Sequence, residues 1–203
     1  MSVLGSLHTS KVHDPRVAKL SVHIAELIAP KSTVLDVGCG DGLLSRILSD
    51  QRPDLAISGV DVLVRPETKI PVVPFDGHSI PFPDNSFDVV MFVDVLHHTD
   101  DPMVLLKEAA RTARRSIVLK DHCRNGVLAN TTLRFMDWVG NARYGVALPY
   151  NYWTKDEWDR AFMELKLEKH SWTVDLGLYP KPADWLFGRS LHFIAQLGTK
   201  VSG

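Results

Sequence analysis

One nine-residue segment, Val34–Gly42, restricts the possible folds more than any other stretch of the chain. It reads Val-Leu-Asp-Val-Gly-Cys-Gly-Asp-Gly, and a helical pattern over 42–49 follows it directly. The segment predicts a buried strand that enters a glycine-rich turn and then a helix. Because such a turn lacks side chains, a ligand can approach its backbone closely, and the helix N-terminus offers free N–H groups.

The chemistry of this turn distinguishes two cofactor classes. A dinucleotide site has the pattern G-x-G-x-x-G, which would put a glycine at position 43, where the chain has Leu43. Asp36 precedes the first glycine by two residues, and its charge would repel a pyrophosphate but suits an ammonium or sulfonium group. The turn therefore favours S-adenosylmethionine over a nicotinamide dinucleotide. The alternative interpretation of Asp36 is that it caps the next helix.

Two further acids follow predicted strands and suit a nucleoside. Asp61 ends the second predicted strand, where an acid can accept hydrogen bonds from ribose hydroxyls in either cofactor class. Asp76 follows the third predicted strand and can accept from an adenine amino group, while the backbone N–H of Gly77 can reach a ring nitrogen. The alternative interpretation is that both acids are ordinary loop residues.

Predicted strands alternate with predicted helices along most of the chain, which indicates a doubly wound α/β fold. Only about ten residues separate the second and third strands, so that connection has room for at most one helical turn. An Asp-Pro pair predicts helix starts at 14–15 and 101–102, and Thr154 opens a capping-box pattern. The predicted strands are 33–38, 55–61, 71–75, 87–95, 116–120, 167–174 and 190–195.

Candidate catalytic residues lie at the carboxyl end of the fourth predicted strand, where open α/β sheets bind ligands. They are Asp94, His97 and His98, each of which can act as a general base, and His122 after the fifth strand is a further candidate. Adjacent histidines at a strand end are expected to diverge, so we predict no metal site. Cys39 is interpreted as a small turn residue rather than a nucleophile, because no Lys or Arg in the motif would lower the pKa of its thiol.

Taken together, these stretches resemble the class I S-adenosylmethionine-dependent methyltransferases, in particular the methyltransferase type 11 group. The resemblance covers about residues 31–121, and it implies a Rossmann-like, seven-stranded mixed sheet of order 3-2-1-4-5-7-6 with the seventh strand antiparallel. Its matching stretches are VLDVGCGDG (34–42), GVDV (59–62), the acidic and proline-containing run 76–88, and VLHHTDDP (95–102).

The resemblance also implies a role for individual residues around S-adenosylmethionine. The methionine moiety would be held by Asp36, Gly38, Cys39 and Gly40, the ribose by Asp61, the adenine by Val62, Asp76 and Gly77, and the methyl-transfer side would be lined by Val93 and Asp94. Two departures stand out: the helix between the second and third strands is nearly absent, and the segment after Asp121 matches no known substrate motif.

Composition limits the partners and the compartment. The chain has 203 residues and a formal charge of −1, so no excess positive charge favours nucleic acid. No apolar run approaches the ~20 residues of a membrane helix, and no signal peptide is evident. The two cysteines, Cys39 and Cys123, are expected to be reduced. These features predict a single cytoplasmic domain.

The expected domain has four segments, and the first and third are lid candidates. Residues 1–30 contain an N-terminal helix, 31–121 form the cofactor-binding half, 122–153 form a helical insertion, and 154–203 complete the sheet. Aromatic residues over 138–153 either fill the core of the insertion or form a lid over a substrate.

The predicted function is metal-independent methyl transfer from S-adenosylmethionine to a small-molecule or lipid-like acceptor, leaving S-adenosylhomocysteine. The methyl group would move by in-line displacement, with the protein supplying orientation and a dry pocket. Two alternatives stay open: a non-catalytic S-adenosylmethionine-binding protein, and an NAD-dependent oxidoreductase, which the missing third glycine disfavours.

Overall fold

The computed structural model describes residues 14–141, 149–179 and 190–199. The sequence also predicts a long connection between the last two strands through Pro180 and Pro182, and it places Tyr144 among the aromatic residues of 138–153. These three residues lie outside the described residues.

A single sheet of seven strands organises the described chain. Its order is β3-β2-β1-β4-β5-β7-β6, as the family resemblance implies. Neighbouring strands from β3 to β5 pair in parallel, and β7 runs antiparallel to both β5 and β6. The strands are β1 (Thr33–Val37), β2 (Ala56–Asp61), β3 (Val72–Pro74), β4 (Phe87–Val93), β5 (Ala113–His122), β6 (Glu168–Thr173) and β7 (His192–Gly198).

Five α-helices accompany these strands in the described residues. They are α1 (Asp14–Leu27), α2 (Leu43–Gln51), α3 (Pro102–Thr112), α4 (Ala129–Asn141) and α5 (Lys155–Glu164). The Asp101 side chain caps α3 by accepting from the Met103 N–H, and a complete capping box opens α5, so the helix starts predicted at 101–102 and at Thr154 are confirmed. Among the residues that can be described, no helix combines the length and apolar character needed to cross a membrane.

Apolar side chains cover both faces of the central strands. Since successive strand residues point to opposite faces, Val34 and Leu35 of β1 belong to different core clusters. One cluster packs Val34 against Ile24 of α1 and Leu48 of α2, and the other includes Leu106 of α3. Helices on both faces make this a doubly wound sheet, and they leave the carboxyl ends of the parallel strands available for a site.

Among the strand ends that differ from the predicted ones, two affect the site. β4 ends at Val93 rather than Val95, because Asp94 adopts a left-handed backbone (φ 58°) and the chain then forms a 3₁₀ turn, Leu96–His98. β5 continues to His122 rather than stopping at Lys120, because its antiparallel pairing with β7 extends to His192. The connection over 62–71 contains no helix, as predicted.

Candidate functional site

The glycine turn after β1 presents open backbone to any ligand above it. Gly38 and Gly40 both have positive φ, 74° and 60°. The Gly38 N–H donates to the Val60 carbonyl of β2 over 2.8 Å, which fixes the turn to the sheet. A Cβ at Gly38 would lie 2.7 Å from a methyl carbon of Val95, whereas a Cβ at Gly40 would meet nothing within 4 Å. The space beside Gly40 is therefore free for a ligand.

Asp61, at the end of β2, lies directly against this turn. Its carboxylate accepts the Gly40 N–H over 2.7 Å and the Leu63 N–H over 2.8 Å. A carboxylate offers about four acceptor positions, so Asp61 keeps capacity for a ligand's hydroxyl groups. Val62 is 63% exposed, and a Cβ at Gly77 would lie 3.2 Å from it. The structure thus brings Gly40, Asp61, Val62 and Gly77 to one edge of the sheet.

Asp36 lies beneath the turn rather than on its surface. It is buried, and it accepts a hydrogen bond from the Ser45 hydroxyl of α2 over 2.7 Å. Burial raises the pKa of Asp36 to about 7, the Ser45 hydrogen bond opposes that shift, and the Asp61 charge adds to it. Asp36 therefore joins β1 to α2, and its contact with a cofactor stays a prediction.

Asp76 and Cys39 are the remaining residues predicted to hold the methyl donor, and the part of the site that these residues form is called the donor side. Asp76 is exposed, and its carboxylate accepts the backbone N–H groups of His78 and Ser79, which lower its pKa. Burial raises the pKa of the Cys39 thiol, and the nearby acids Asp36 and Asp61 raise it further. Such a thiol is a poor nucleophile, because the thiolate is the reactive form.

Histidines and carboxylates meet at the other side of the site. His97 is buried, its Nδ1 lies 2.6 Å from Asp121 of β5, and its Nε2 lies 3.3 Å from Asp137 of α4. The His97 and His98 ring centroids are only 4.0 Å apart. The expectation that these rings diverge was wrong, because they lie on a 3₁₀ turn, where successive side chains are about 120° apart rather than the 180° of a strand.

The pKa values of these histidines separate into two groups. Burial opposes protonation of His97, but Asp121 and Asp137 outweigh it and raise its pKa to about 10. Burial lowers the pKa of His122 to about 4, with the His97 and Lys120 charges contributing. Burial and the His97 charge also lower the pKa of His98. At neutral pH, His97 is consequently an imidazolium, whereas His98 and His122 are neutral.

Asp94 is held between two cations. It pairs with Arg16 of α1 over 2.7 Å and with the fully buried Lys120 of β5. Burial opposes ionisation of Asp94, yet Lys120 and Arg16 hold its pKa well below the usual range. Burial lowers the pKa of Lys120 to about 8, even though Asp94 favours its charged form. The neighbouring Val93 packs against the apolar cluster that includes Leu20 of α1.

Several residues of this cluster were not predicted as site residues. The sequence could have identified Lys120 and Asp121 as site candidates, because charged residues at the end of an apolar strand are unusual in a buried position. Asp137 carried none, and Tyr152 was predicted only as one of the aromatic residues over 138–153 that fill a core or form a lid. Tertiary packing brings both residues to the histidines. The Tyr152 hydroxyl donates to Asp137, and its ring lies 5.4 Å from that of His97.

Comparison with known proteins identifies a family model and relatives that match this chain. Residues 12–171 match the family model described as "Methyltransferase domain". Over 140 residues, the chain is 31% identical to 2-methyl-6-phytyl-1,4-hydroquinone methyltransferase of Synechocystis sp., a match covering 64% of this chain and 39% of that protein. The chain thus spans about two fifths of that relative's length.

Solved structures share the fold at low sequence identity. The PH0226 protein of Pyrococcus horikoshii superimposes with a TM-score of 0.68 at 16% identity, covering 94% of this chain and 92% of that one. An S-adenosylmethionine-dependent methyltransferase of Aquifex aeolicus gives a TM-score of 0.61 at 16% identity, covering 95% and 93%.

Proposed function

The chain belongs to the class I S-adenosylmethionine-dependent methyltransferase family, and we propose that it transfers a methyl group from S-adenosylmethionine to a small-molecule or lipid-like acceptor. The observation that carries this proposal is the open backbone at Gly40 beside the Asp61 carboxylate. Backbone without side chains and an acid at the end of β2 are what a nucleoside-linked amino acid requires.

The residues present at the donor side fit S-adenosylmethionine. Gly40 leaves room for the methionine moiety, Asp61 has acceptor capacity for the ribose hydroxyls, and Val62 and Gly77 border the space proposed for the adenine. When bound there, S-adenosylmethionine supplies an electrophilic methyl group on a sulfonium ion. The protein's own contribution is to orient the acceptor and exclude water, because displacement from a good leaving group is limited mainly by alignment.

We propose that Asp94, His97 and His98 form the acceptor end of the site. Asp94 is tied to two cations and His97 is protonated at neutral pH, so neither has a free group that could take a proton. His98 is neutral at that pH and only partly buried. Of the three residues, His98 is the one proposed to act on the acceptor directly.

A lipid-like acceptor is supported by the surface of the insertion. Val127 and Leu128 precede α4 and are 84% and 67% exposed, while Phe135 and Trp138 on the helix are 56% and 58% exposed. Phe135 and Trp138 are three positions apart and so lie on one face of α4, and contiguous exposed apolar surface marks interaction sites. The quinol in the name of the Synechocystis relative combines a polar ring with an apolar tail, so it is a lipid-like molecule. We therefore propose that residues 122–153 contact the acceptor and act as its lid.

The proposal is tested by methyl transfer from labelled S-adenosylmethionine to a panel of hydroquinones with and without a prenyl tail, and to a total lipid extract. We expect label in an extractable small molecule, and a loss of roughly 10²-fold or more for His98→Ala, the usual scale for removing a group that acts on the reacting atoms. His170→Gln, on the exposed edge strand β6, is the matched control.

An unlabelled panel and extract, from a protein that still binds S-adenosylhomocysteine, would instead support the non-catalytic alternative. Equal rates for His98→Ala and the wild type would remove His98 from the acceptor end.

A further inference from the structure

Two buried ring nitrogens at the acceptor end make no hydrogen bond of good geometry. They are Nε2 of His97 and Nδ1 of His98, two of the four side-chain atoms in that condition within the described chain. A buried polar atom without a partner costs free energy, and such atoms in a native fold call for an explanation such as a missing ion. Asp137 Oδ2 lies 3.3 Å from His97 Nε2. Two nitrogens and a carboxylate oxygen therefore share one small space.

The spacing of these donor atoms suits a single metal ion. One ligand atom each from His97, His98 and Asp137 lies within 4.8 Å of the others. Metal–nitrogen and metal–oxygen bonds of about 2.0–2.2 Å place two ligands at most about 4.4 Å apart, so small side-chain movements would bring all three onto one ion. Imidazole with a carboxylate is a donor set that suits divalent transition metals.

The surrounding groups hold the ligands as metal sites require. Asp121 lies 2.6 Å from His97 Nδ1, so the Nδ1–H is donated to it and Nε2 faces Asp137. Asp121 is itself fixed by the Leu96 N–H at 2.9 Å, and the Tyr152 hydroxyl donates to Asp137. A carboxylate behind a histidine ligand fixes the ring's orientation and raises the basicity of the coordinating nitrogen.

We propose that His97 Nε2, His98 Nδ1 and Asp137 bind one divalent transition-metal ion, with zinc as the representative. Metal binding would release the proton from His97 Nε2, because only a deprotonated imidazole nitrogen coordinates a metal ion. Three protein ligands leave a coordination position for a small molecule, as in catalytic rather than structural zinc sites.

The location links this metal site to the donor side. Val95 precedes the 3₁₀ turn by one residue and packs against Gly38 of the glycine turn. The 3₁₀ turn that carries His97 and His98 is therefore next to the glycine turn. If the proposed function holds, an oxygen of the acceptor is the natural occupant of the open coordination position, and the ion would favour its deprotonated form. The metal site itself does not depend on methyl transfer.

The test is a calorimetric titration of ZnCl₂ into chelator-treated protein from which any affinity tag has been removed. We expect one zinc ion per wild-type chain and at least a tenfold weaker affinity for His98→Ala and for Asp137→Asn. His170→Gln removes an exposed histidine from β6 and should leave the affinity unchanged. Circular dichroism of each variant verifies that the fold is retained.

Two results would overturn the proposal: no stoichiometric zinc binding by the wild type, or wild-type affinity in His98→Ala. If both ligand variants fail to fold, the visible absorption of Co²⁺ added to the wild type decides, because bound tetrahedral Co²⁺ gives intense bands and free aqueous Co²⁺ does not. Titration with S-adenosylhomocysteine on the same samples is independent of the metal, so failure of the donor site and failure of the metal site can be told apart.

Discussion

At the scale of single residues, Asp36 shows how burial changes a carboxyl group. Its pKa in the folded chain is about 7, mainly because of burial, against about 3.9 for an unfolded aspartate. The folded protein therefore holds the Asp36 proton more tightly than the unfolded chain. As the pH rises from about 4 to about 7, ionisation stabilises the unfolded chain first, and the contribution of Asp36 to stability falls. Above that window the contribution is constant.

Replacing Asp36 by Asn removes this titration and keeps an acceptor for the Ser45 hydroxyl. We expect the free energy of unfolding of Asp36→Asn, relative to the wild type, to increase with pH by up to about 1.4 kcal/mol per pH unit within that window. Urea denaturation of both proteins at several pH values measures the difference. A difference that does not vary with pH would show that Asp36 titrates normally in the folded protein.

At the scale of elements, local patterns predicted helix starts better than strand ends. The capping box of α5 uses only neighbours in sequence: Glu157 accepts the Thr154 N–H over 2.7 Å, and Thr154 accepts the Glu157 N–H over 3.3 Å. The length of β5 was underestimated because its last residues pair with β7, about seventy positions further along the chain. The end of β4 was missed because Asp94 adopts a left-handed backbone that no local pattern indicates, and its ion-pair partners Arg16 and Lys120 are distant in sequence.

The same capping box yields a prediction about stability. Thr154→Ala should lower the free energy of unfolding by about 1 kcal/mol, because it leaves the Glu157 N–H, directly before the buried Trp158, without its partner. Thr154→Ser keeps the hydroxyl and is the matched control. Denaturant unfolding compares the three proteins, and equal midpoints for Ala and Ser would mean that the hydroxyl does not stabilise α5.

At the scale of the whole molecule, the two halves of the site differed in how far sequence could predict them. The donor half comes from the ends of β1 and β2, and consecutive residues such as 34–42 carry its pattern. The acceptor half joins the 3₁₀ turn at 96–98 to Asp137 of α4 and to Tyr152. These elements are far apart in sequence and match no motif, so only the folded chain reveals that they meet.

The overall fold was predictable because consecutive residues carry its pattern, as they do for the donor half of the site. Alternating strands and helices with short links indicate a doubly wound sheet, and the family resemblance implied the strand order that the structure confirms. The division of the chain into a donor half, an insertion and a sheet-completing segment stays a proposal.

Binding of S-adenosylhomocysteine, measured by titration calorimetry, tests the donor site most directly. We expect one molecule bound per wild-type chain, and at least tenfold weaker binding for Asp61→Ala and for Gly40→Val. The first variant removes the ribose acceptor, and the second fills the open space beside the turn. Asp50→Ala removes an exposed carboxylate that pairs with Arg46 on α2 and should bind normally. No binding by the wild type, or wild-type affinity in Asp61→Ala, would contradict the proposal that this turn holds the methyl donor.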